Sequence, residues 1–447
     1  MSEMGAVLGV PLENNIRITG WSVDSRTVAP GDLFFALRGP NHDGNAYVDE
    51  VLRKGAAAAI ANERPTGESP KGPVLVVPDT LVALQRVASW ARDQWGGEVV
   101  GVTGSAGKTS TKDIIAAMLA SAMPAGKTIG NLNNHVGVPL SLLRLSREAR
   151  VAVLEMGMNH AGEIRALCAI ARPRIGVVTN VGHAHVENFD SIEGVAAAKR
   201  ELVDSLPAHG IAVLNADDPL VIRFRETHPG KTISFGFSES ADFRAKNVEC
   251  TAEGVRFEVG GVPFESSLVG RHSVLNILTG LAVASIFGIR PGQLVGVVKQ
   301  LAPPPMRGQR ILHNGILILN DCYNSNPDAA RVMIDVLRET PAKRRIAVLG
   351  EMLELGRWSE ALHRDIGRYV AGRGIDVLVG IRGAAGFLVD AAREAGQAVD
   401  AAFFFPEADQ AGDYLRQLAR PGDVILMKGS RGTHVEQALE RLLARPN

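Results

Sequence analysis

A chain of 447 residues is long enough for two to four domains that each bury a core, and too long for one. Lys plus Arg and Asp plus Glu each total 48, which excludes the basic excess of a nucleic-acid or anionic-membrane binder and leaves room for a local basic pocket. The cysteines Cys168, Cys250 and Cys322 are odd in number and far apart, so neither a disulfide framework nor a zinc site is expected.

The opening MSEMGAVLGVPLENN has no basic leader ahead of a long apolar core, and no later apolar run approaches membrane-spanning length. A cytoplasmic monomer with no membrane span and no nucleic-acid partner is expected. In the first block, DLFFAL (Asp32 to Leu37), AAAAIAN and VLVVP read as strands, and Tyr47 to Lys54 and Thr80 to Trp95 as helices. Gly96-Gly97 ends this block, giving a smaller α/β domain over residues 1–97.

The second block, 98–304, opens with VVGVTG, a helix from Lys108 to Ser121, and strands VAVLE, IGVVTN and IAVLN. Strands alternating with helices imply a mostly parallel sheet with ligands at the carboxyl ends of its strands, where Glu155, Asn180 and Asn215 stand. A helix is expected from His272 to Phe287, and Pro303 to Pro305 read as a stiff linker. In the third block, 305–447, RIAVLG, IDVLVG, AAFFF and DVILMKG alternate with helices near 359–372, 383–395 and 407–418, a second doubly wound pattern.

The string GVTGSAGKTSTK carries the clearest chemistry. An apolar strand runs into Gly104, Ser105, Ala106, Gly107, Lys108, Thr109 and Ser110, which read as a cradle for nucleotide phosphates. Glycines let backbone N–H groups approach phosphate, Lys108 reaches the terminal phosphates and Thr109 offers a hydroxyl to magnesium. Val102 stands where the strict GxxxxGK[ST] pattern has glycine, so the loop is a variant. Glu155, at the end of VAVLE, is placed to hold magnesium beside it. TNVGHAHVENF contributes His183 and His185 after another strand, with no third ligand nearby to complete a zinc set. Lys199, flanked by small residues in AAAKREL, would become a neutral, reactive amine in an apolar pocket.

TGSAGKTSTK, GNLNNHVGVPLSLL, EMGMNHAGEI, TNVGHAHVENF with AAAKREL, LNADDP, GRHSVLN, DCYNSNP, LGEMLELG and KGSRG follow one another as they do in the Mur ligases. The chain resembles that family over nearly its whole length, and DSRTVAPGDLFFALRGPNHDG resembles the family's amino-terminal uridine-nucleotide domain. The resemblance implies three domains: a uridine-nucleotide domain, a central P-loop ATPase and a Rossmann-like carboxyl-terminal domain that binds the incoming dipeptide. DCYNSNP and LGEMLELG resemble the member that uses ATP to join D-Ala-D-Ala to UDP-N-acetylmuramoyl-tripeptide through an acyl phosphate. The DNPR string of the sister ligase that adds a diamino acid is not found, because Asp328 follows Asn326-Pro327. Nor is an NKxD string of a guanine-nucleotide switch.

Carried over by motif, Lys108 contacts ATP phosphates and Thr109 and Glu155 hold one magnesium ion, with His185 holding a second. Lys199 matches a lysine that is carbamylated in relatives, which makes it a further metal ligand; His183 is left out of the metal set. Asn276, the acidic pair Asp217 and Asp218, and Asp321 are nucleotide-side contacts, and Arg310 in PMRGQR resembles the arginine that reaches the γ-phosphate, with Arg307 its rival. Ser25, Arg26, Asn133, Asn134, Tyr323, Asn324, Asn326, Lys428, Ser430 and Arg431 are expected to contact substrate. Where Asn320 and Cys322 lie, the family commonly has an acidic and a small residue.

Overall fold

A computed structural model describes residues 2–9, 16–64, 72–251 and 253–444. Positions 1 and 10–15 of the opening segment lie outside the described residues. Three parallel or mostly parallel sheets follow one another along the chain.

The first sheet runs Gly20–Ser22, Asp32–Phe35, Ala58–Ala61 and Val74–Val76, all parallel. The strand Asp32–Phe35 is buried throughout, as expected of a parallel strand covered on both faces. The helix Thr80–Trp95 packs on this sheet through Leu84, Val87 and Ala88. Its ends are written in the sequence: Asp79 accepts from the N–H groups of Leu81 and Val82, and Gly96 at φ 66° turns the chain away.

The central sheet has the order Phe243–Arg244, Lys231–Gly236, Ile211–Asn215, Ile175–Val178, Glu98–Thr103, Val151–Glu155 and Ala125–Lys127, with every pair parallel. Its first strand in sequence, Glu98–Thr103, sits in the interior. From it the chain runs to one edge, returns to the place beside it, and then builds outward on the other side, so the switch point, where such sheets bind ligands, lies at Thr103. An antiparallel sheet of Lys246–Cys250, Val255–Val259 and Val262–Ser266 was not foreseen. Its signal was present: Gly260-Gly261, with φ 57° and 82°, joins two runs of alternating polarity, and Phe257 stacks on Phe264.

The last sheet has the order Gln309–His313, Ile316–Asp321, Asp423–Lys428, Arg344–Gly350, Val377–Ile381 and Ala402–Phe405. The edge strand Gln309–His313 is antiparallel to Ile316–Asp321 and the other pairs are parallel. Among the described residues, no helix is long and apolar enough to cross a membrane.

One buried histidine fixes the LGEMLELG loop above this sheet. His363 is fully buried; its Nε2 accepts from Met352 N–H at 2.9 Å and its Nδ1 donates to Ser359 O at 2.7 Å. Burial lowers its pKa below the ordinary histidine value, so it is held neutral. The unfolded chain therefore binds a proton that the folded one refuses, and stability falls as pH drops below about 6.5. Chemical denaturation of the wild type between pH 8 and pH 5 is expected to lose stability that the non-titrating His363→Gln variant does not lose.

Candidate active site

At the end of the strand Glu98–Thr103, residues 104–107 turn the chain into the helix Lys108–Ala120. Glycine is required at two points of this turn. Gly104 has φ +149°, and a Cβ there would lie 1.9 Å from Thr179 Oγ1; Gly107 has φ +79° and would meet Asn276 Oδ1 at 3.0 Å.

The loop is braced from the neighbouring strand end. The Thr179 hydroxyl donates to Ala106 O at 2.7 Å, and the Asn180 side chain accepts from Ala106 N–H at 2.8 Å and donates to its carbonyl at 3.1 Å. Ser105 N–H donates to Asn180 O at 3.0 Å, while the Ser105 hydroxyl donates to Gly182 O at 2.9 Å and accepts from Gly182 N–H at 2.7 Å. The amides of the loop are not equivalent. Those of Ser105 and Ala106 are spent on Asn180, and the free donors are the first N–H groups of the helix, from Gly107 onward.

Lys108 folds back so that Nζ donates to Gly104 O at 2.8 Å. Burial holds its ammonium below the ordinary lysine pKa, against the opposing pull of Glu155. Thr109 Oγ1 donates to Glu155 Oε2 at 2.8 Å, and Asn133 Nδ2 donates to Oε1 at 2.8 Å, so neutral donors hold both oxygens of a carboxylate that is only 2% exposed. A buried carboxylate paired with a hydroxyl suits magnesium, an ion that keeps several waters and takes phosphate oxygens. Among the described residues no three acidic, histidine or cysteine side chains converge into a cage.

His185 has φ 60°, and its Nδ1 stands 2.7 Å from Glu354 Oε2, close but off the line of a hydrogen bond. A carboxylate on one ring nitrogen leaves the other for a metal, the usual arrangement around a metal-binding histidine. Lys199 is 2% exposed on the helix Ile192–Asp204 and does not line the cavity. Burial, and after it the charge of Lys108, holds its pKa well below the ordinary lysine value.

The carboxyl-terminal domain closes the opposite side. Asp321 accepts from Gly308 N–H at 2.9 Å and pairs with Lys428 at 2.6 Å, and Lys428 also donates to Asn324 O at 2.9 Å. Lys428 is 3% exposed, so removing Asp321 from this ion pair leaves a buried charge without its counter-ion, at about 3–5 kcal/mol. The Arg307 guanidinium lies 3.9 Å from the centre of the Tyr323 ring. Between the two domains is a cavity of about 610 Å³, lined by residues 105–110, Asn131, Asn133, Asn134, Glu155, His185, Asn276, Arg307, Asp321, Tyr323, Asn324, Asn326 and Lys428. A smaller cavity of about 430 Å³ shares Ser110, Asn276 and Arg307 with it and runs under Pro303 to Pro305.

The remaining candidate residues divide between the cavity and other partners. Arg310 is exposed on the edge strand Gln309–His313 and lines neither cavity; strand alternation turns it away while Arg307, in the preceding turn, faces the cleft. Asn134 lines the cavity, but its Oδ1 accepts from the N–H groups of Val136 and Gly137 at the start of the next helix. Asn326 caps the helix Pro327–Glu339 through Ala329 N–H. Ser430 is buried against Leu353 N–H, and Arg431 pairs with Glu436; neither lines the cavity. Ser25 and Arg26 stand on the first domain away from this cavity, with Arg26 folded onto Asp24. Asp217 caps the turn at Phe237 and Ser238, and Asp218 accepts from Val181, Leu220 and Val221. Thr179, Asp328 and Glu354 were missed: a strand-end threonine, an acid in the first turn of a helix and a glutamate inside LGEMLELG each have an ordinary local use that does not mark the contact they make.

Against this geometry, the chain matches sequence models of the Mur ligase family catalytic domain over residues 17–91, the Mur ligase middle domain over 102–284 and the Mur ligase glutamate ligase domain over 306–431. The UDP-N-acetylmuramoyl-tripeptide–D-alanyl-D-alanine ligase of Bacillus subtilis (strain 168) is 32% identical over 433 residues, 96% of this chain and 94% of the relative. The chain belongs to the Mur ligase family. Among solved Mur ligases, crystal structure I of MurF from Acinetobacter baumannii aligns with TM-score 0.90 and 28% identity over 99% of this chain and 98% of that one. MurF ligase from Thermotoga maritima in complex with ADP aligns with TM-score 0.84 and 30% identity over 96% and 98%.

The bracing of the Mur ligase phosphate loop yields a direct test. Gly104→Ala forces the Thr179 hydroxyl off Ala106 O, and overpacking of this kind costs about 1–3 kcal/mol. Calorimetric titration with ADP is expected to show binding weakened by about tenfold or more, with the fold retained by circular dichroism.

Proposed function

We infer that the chain is an ATP-dependent, ADP-forming ligase that joins D-alanyl-D-alanine to UDP-N-acetylmuramoyl-tripeptide. The observation that carries this reading is the braced phosphate loop facing the DCYNSNP loop across one cleft, in a chain whose near-full-length relative is named for that reaction.

The acceptor's terminal carboxylate attacks the γ-phosphorus of ATP; the bond to the β-phosphate oxygen breaks, releasing ADP and leaving an acyl phosphate. The amine of the dipeptide then attacks the acyl carbon, phosphate leaves, and the nitrogen loses a proton as the amide forms. A carboxylate and a triphosphate repel, so the first step needs positive charge in a site shielded from water. Lys108, the helix N-terminus and Arg307 supply it from this chain, and we assign to Arg307 the γ-phosphate role. The cavity under Pro303 to Pro305 takes the nucleotide base, with Asn276 at its junction to the phosphates. Thr109 and Glu155 would hold a magnesium ion and His185 a second, supplying further charge neutralisation and alignment of the phosphates.

Burial, and after it the charge of Lys108, holds the Lys199 pKa well below the ordinary lysine value, which favours the unprotonated amine that adds to carbon dioxide and sheds a proton to give a carbamate. The carbamate would replace an uncompensated buried lysine with an anion under the influence of the Lys108 charge. This makes Lys199 a metal ligand only after modification.

Product mass measurement with UDP-N-acetylmuramoyl-tripeptide, ATP and D-Ala-D-Ala is expected to show the ligated pentapeptide product. Incorporation of a free diamino acid into the dipeptide acceptor in its place would mean the sister reaction. Arg307→Ala is expected to lower kcat by about a hundredfold while Arg310→Ala stays within about twofold, a contrast that assigns the arginine. Lys199→Ala is expected to lose activity that short carboxylic acids restore, and intact-mass analysis of the wild type in bicarbonate should reveal the added carbamate. A near-normal rate without rescue would remove the carbamate from the site.

A further inference from the structure

The steps above leave one interdomain contact unused. Gly182 lies on the central domain between the brace residues and His185, and a Cβ on it would fall 2.3 Å from Asp328 Oδ2 and 2.9 Å from Asp328 Cγ. Asp328 belongs to the first turn of the helix Pro327–Glu339 in the carboxyl-terminal domain. Its Oδ2 accepts from both His183 N–H at 2.7 Å and, across 3.1 Å, the His183 ring. Gly182, one residue earlier, exchanges both of its backbone groups with the Ser105 hydroxyl. The cap residue of the same helix, Asn326, donates to Ser105 O at 3.3 Å. One helix end of the carboxyl-terminal domain therefore grips the phosphate loop twice: directly at Ser105, and through residues 182 and 183.

We propose that Asp328 is a positioning residue whose carboxylate keys into the slot left by the missing side chain of Gly182, setting the register of the docked carboxyl-terminal domain against the phosphate loop. The proposal rests on the ligase reading above. The slot is specific. A carboxylate of this length reaches the amide of His183 only because residue 182 has no Cβ, and the same contact fixes the backbone that holds Ser105. A shift of the docked domain by about 1 Å would misplace Arg307 and the DCYNSNP loop relative to the phosphates, a displacement that can cost about a hundredfold in rate. Substrate binding to either domain alone is untouched by this key, so its removal acts on kcat rather than on KM.

The key and the slot can be cut separately and together. Steady-state ligation is measured for the wild type, Asp328→Ala, Asp328→Asn, Gly182→Ala and the Asp328→Ala/Gly182→Ala double variant, with ADP titration on each to verify an intact central domain. Asp328→Ala is expected to lower kcat by about tenfold with KM for each substrate within about twofold, and Asp328→Asn, which keeps an acceptor oxygen, to restore most of the rate. Gly182→Ala is expected to be slower still, since its methyl group strikes the carboxylate. Removing that carboxylate relieves the clash, because Asp328 Cβ would be 3.4 Å from the new methyl group, an ordinary contact. The double variant should therefore be faster than Gly182→Ala alone.

Independent, multiplying losses in the double variant would overturn the register, as would an Asp328→Ala enzyme with wild-type kcat. Should Gly182→Ala fail to bind ADP, the Asp328→Ala and Asp328→Asn pair decides: a rate that Asn does not recover overturns the proposal. A wild type that does not ligate the dipeptide at all would defeat the ligase reading and the register with it, whereas multiplying losses in an active ligase defeat the register alone.

Discussion

Backbone amides can face an anion only if something else holds their loop open, and in this chain the end of a neighbouring strand does so. Thr179 and Asn180 take the carbonyl and N–H of Ala106, and Gly182 takes the Ser105 hydroxyl. With Ser105 and Ala106 fixed, Lys108 and the first N–H groups of the following helix are left to meet phosphate. Thr179 can come so close only because Gly104 lacks a side chain. The loop is thus held by the residues that directly follow the strand Ile175–Val178.

Electrostatics follows from that placement. Lys108 and Lys199 are crowded together with burial depressing both, and the nearby buried carboxylate, Glu155, is held by a hydroxyl and an amide rather than by a cation. Burying such groups without an ionic hydrogen-bond partner is costly. The price is met by the surrounding core, where the central sheet is buried on both faces.

Much of the chemistry was legible from the letters because it is local. The loop from Gly104 to Ser110, Glu155 at a strand tip and the caps of the helix Thr80–Trp95 each depend on residues a few positions apart, and they stand where the sequence puts them. Contacts between distant segments were not legible. Asn134 and Asn326 line the cavity and also hold helix N-termini, a use that any asparagine before a helix can have and that no local pattern separates from ligand binding. Arg310 and Arg307 differ by three positions, and the choice between them depends on where the edge strand Gln309–His313 begins and which way its first side chains turn. Asp328 is an acid in a helix first turn and Glu354 stands inside LGEMLELG, and neither setting names a partner; those partners lie more than a hundred residues away in the chain.

By itself, the sequence determined the alternation of strand and helix in three blocks, the phosphate loop and the family, since periodicity, turn residues and short motifs are properties of neighbouring positions. Tertiary structure alone decided which arginine faces the cleft, which amides remain free to bind an anion, and which side chains of the carboxyl-terminal domain meet the loop. Those outcomes depend on the crossing of elements brought together by the burial of apolar faces, and burial, being indifferent to distance along the chain, leaves no local mark on the residues it joins.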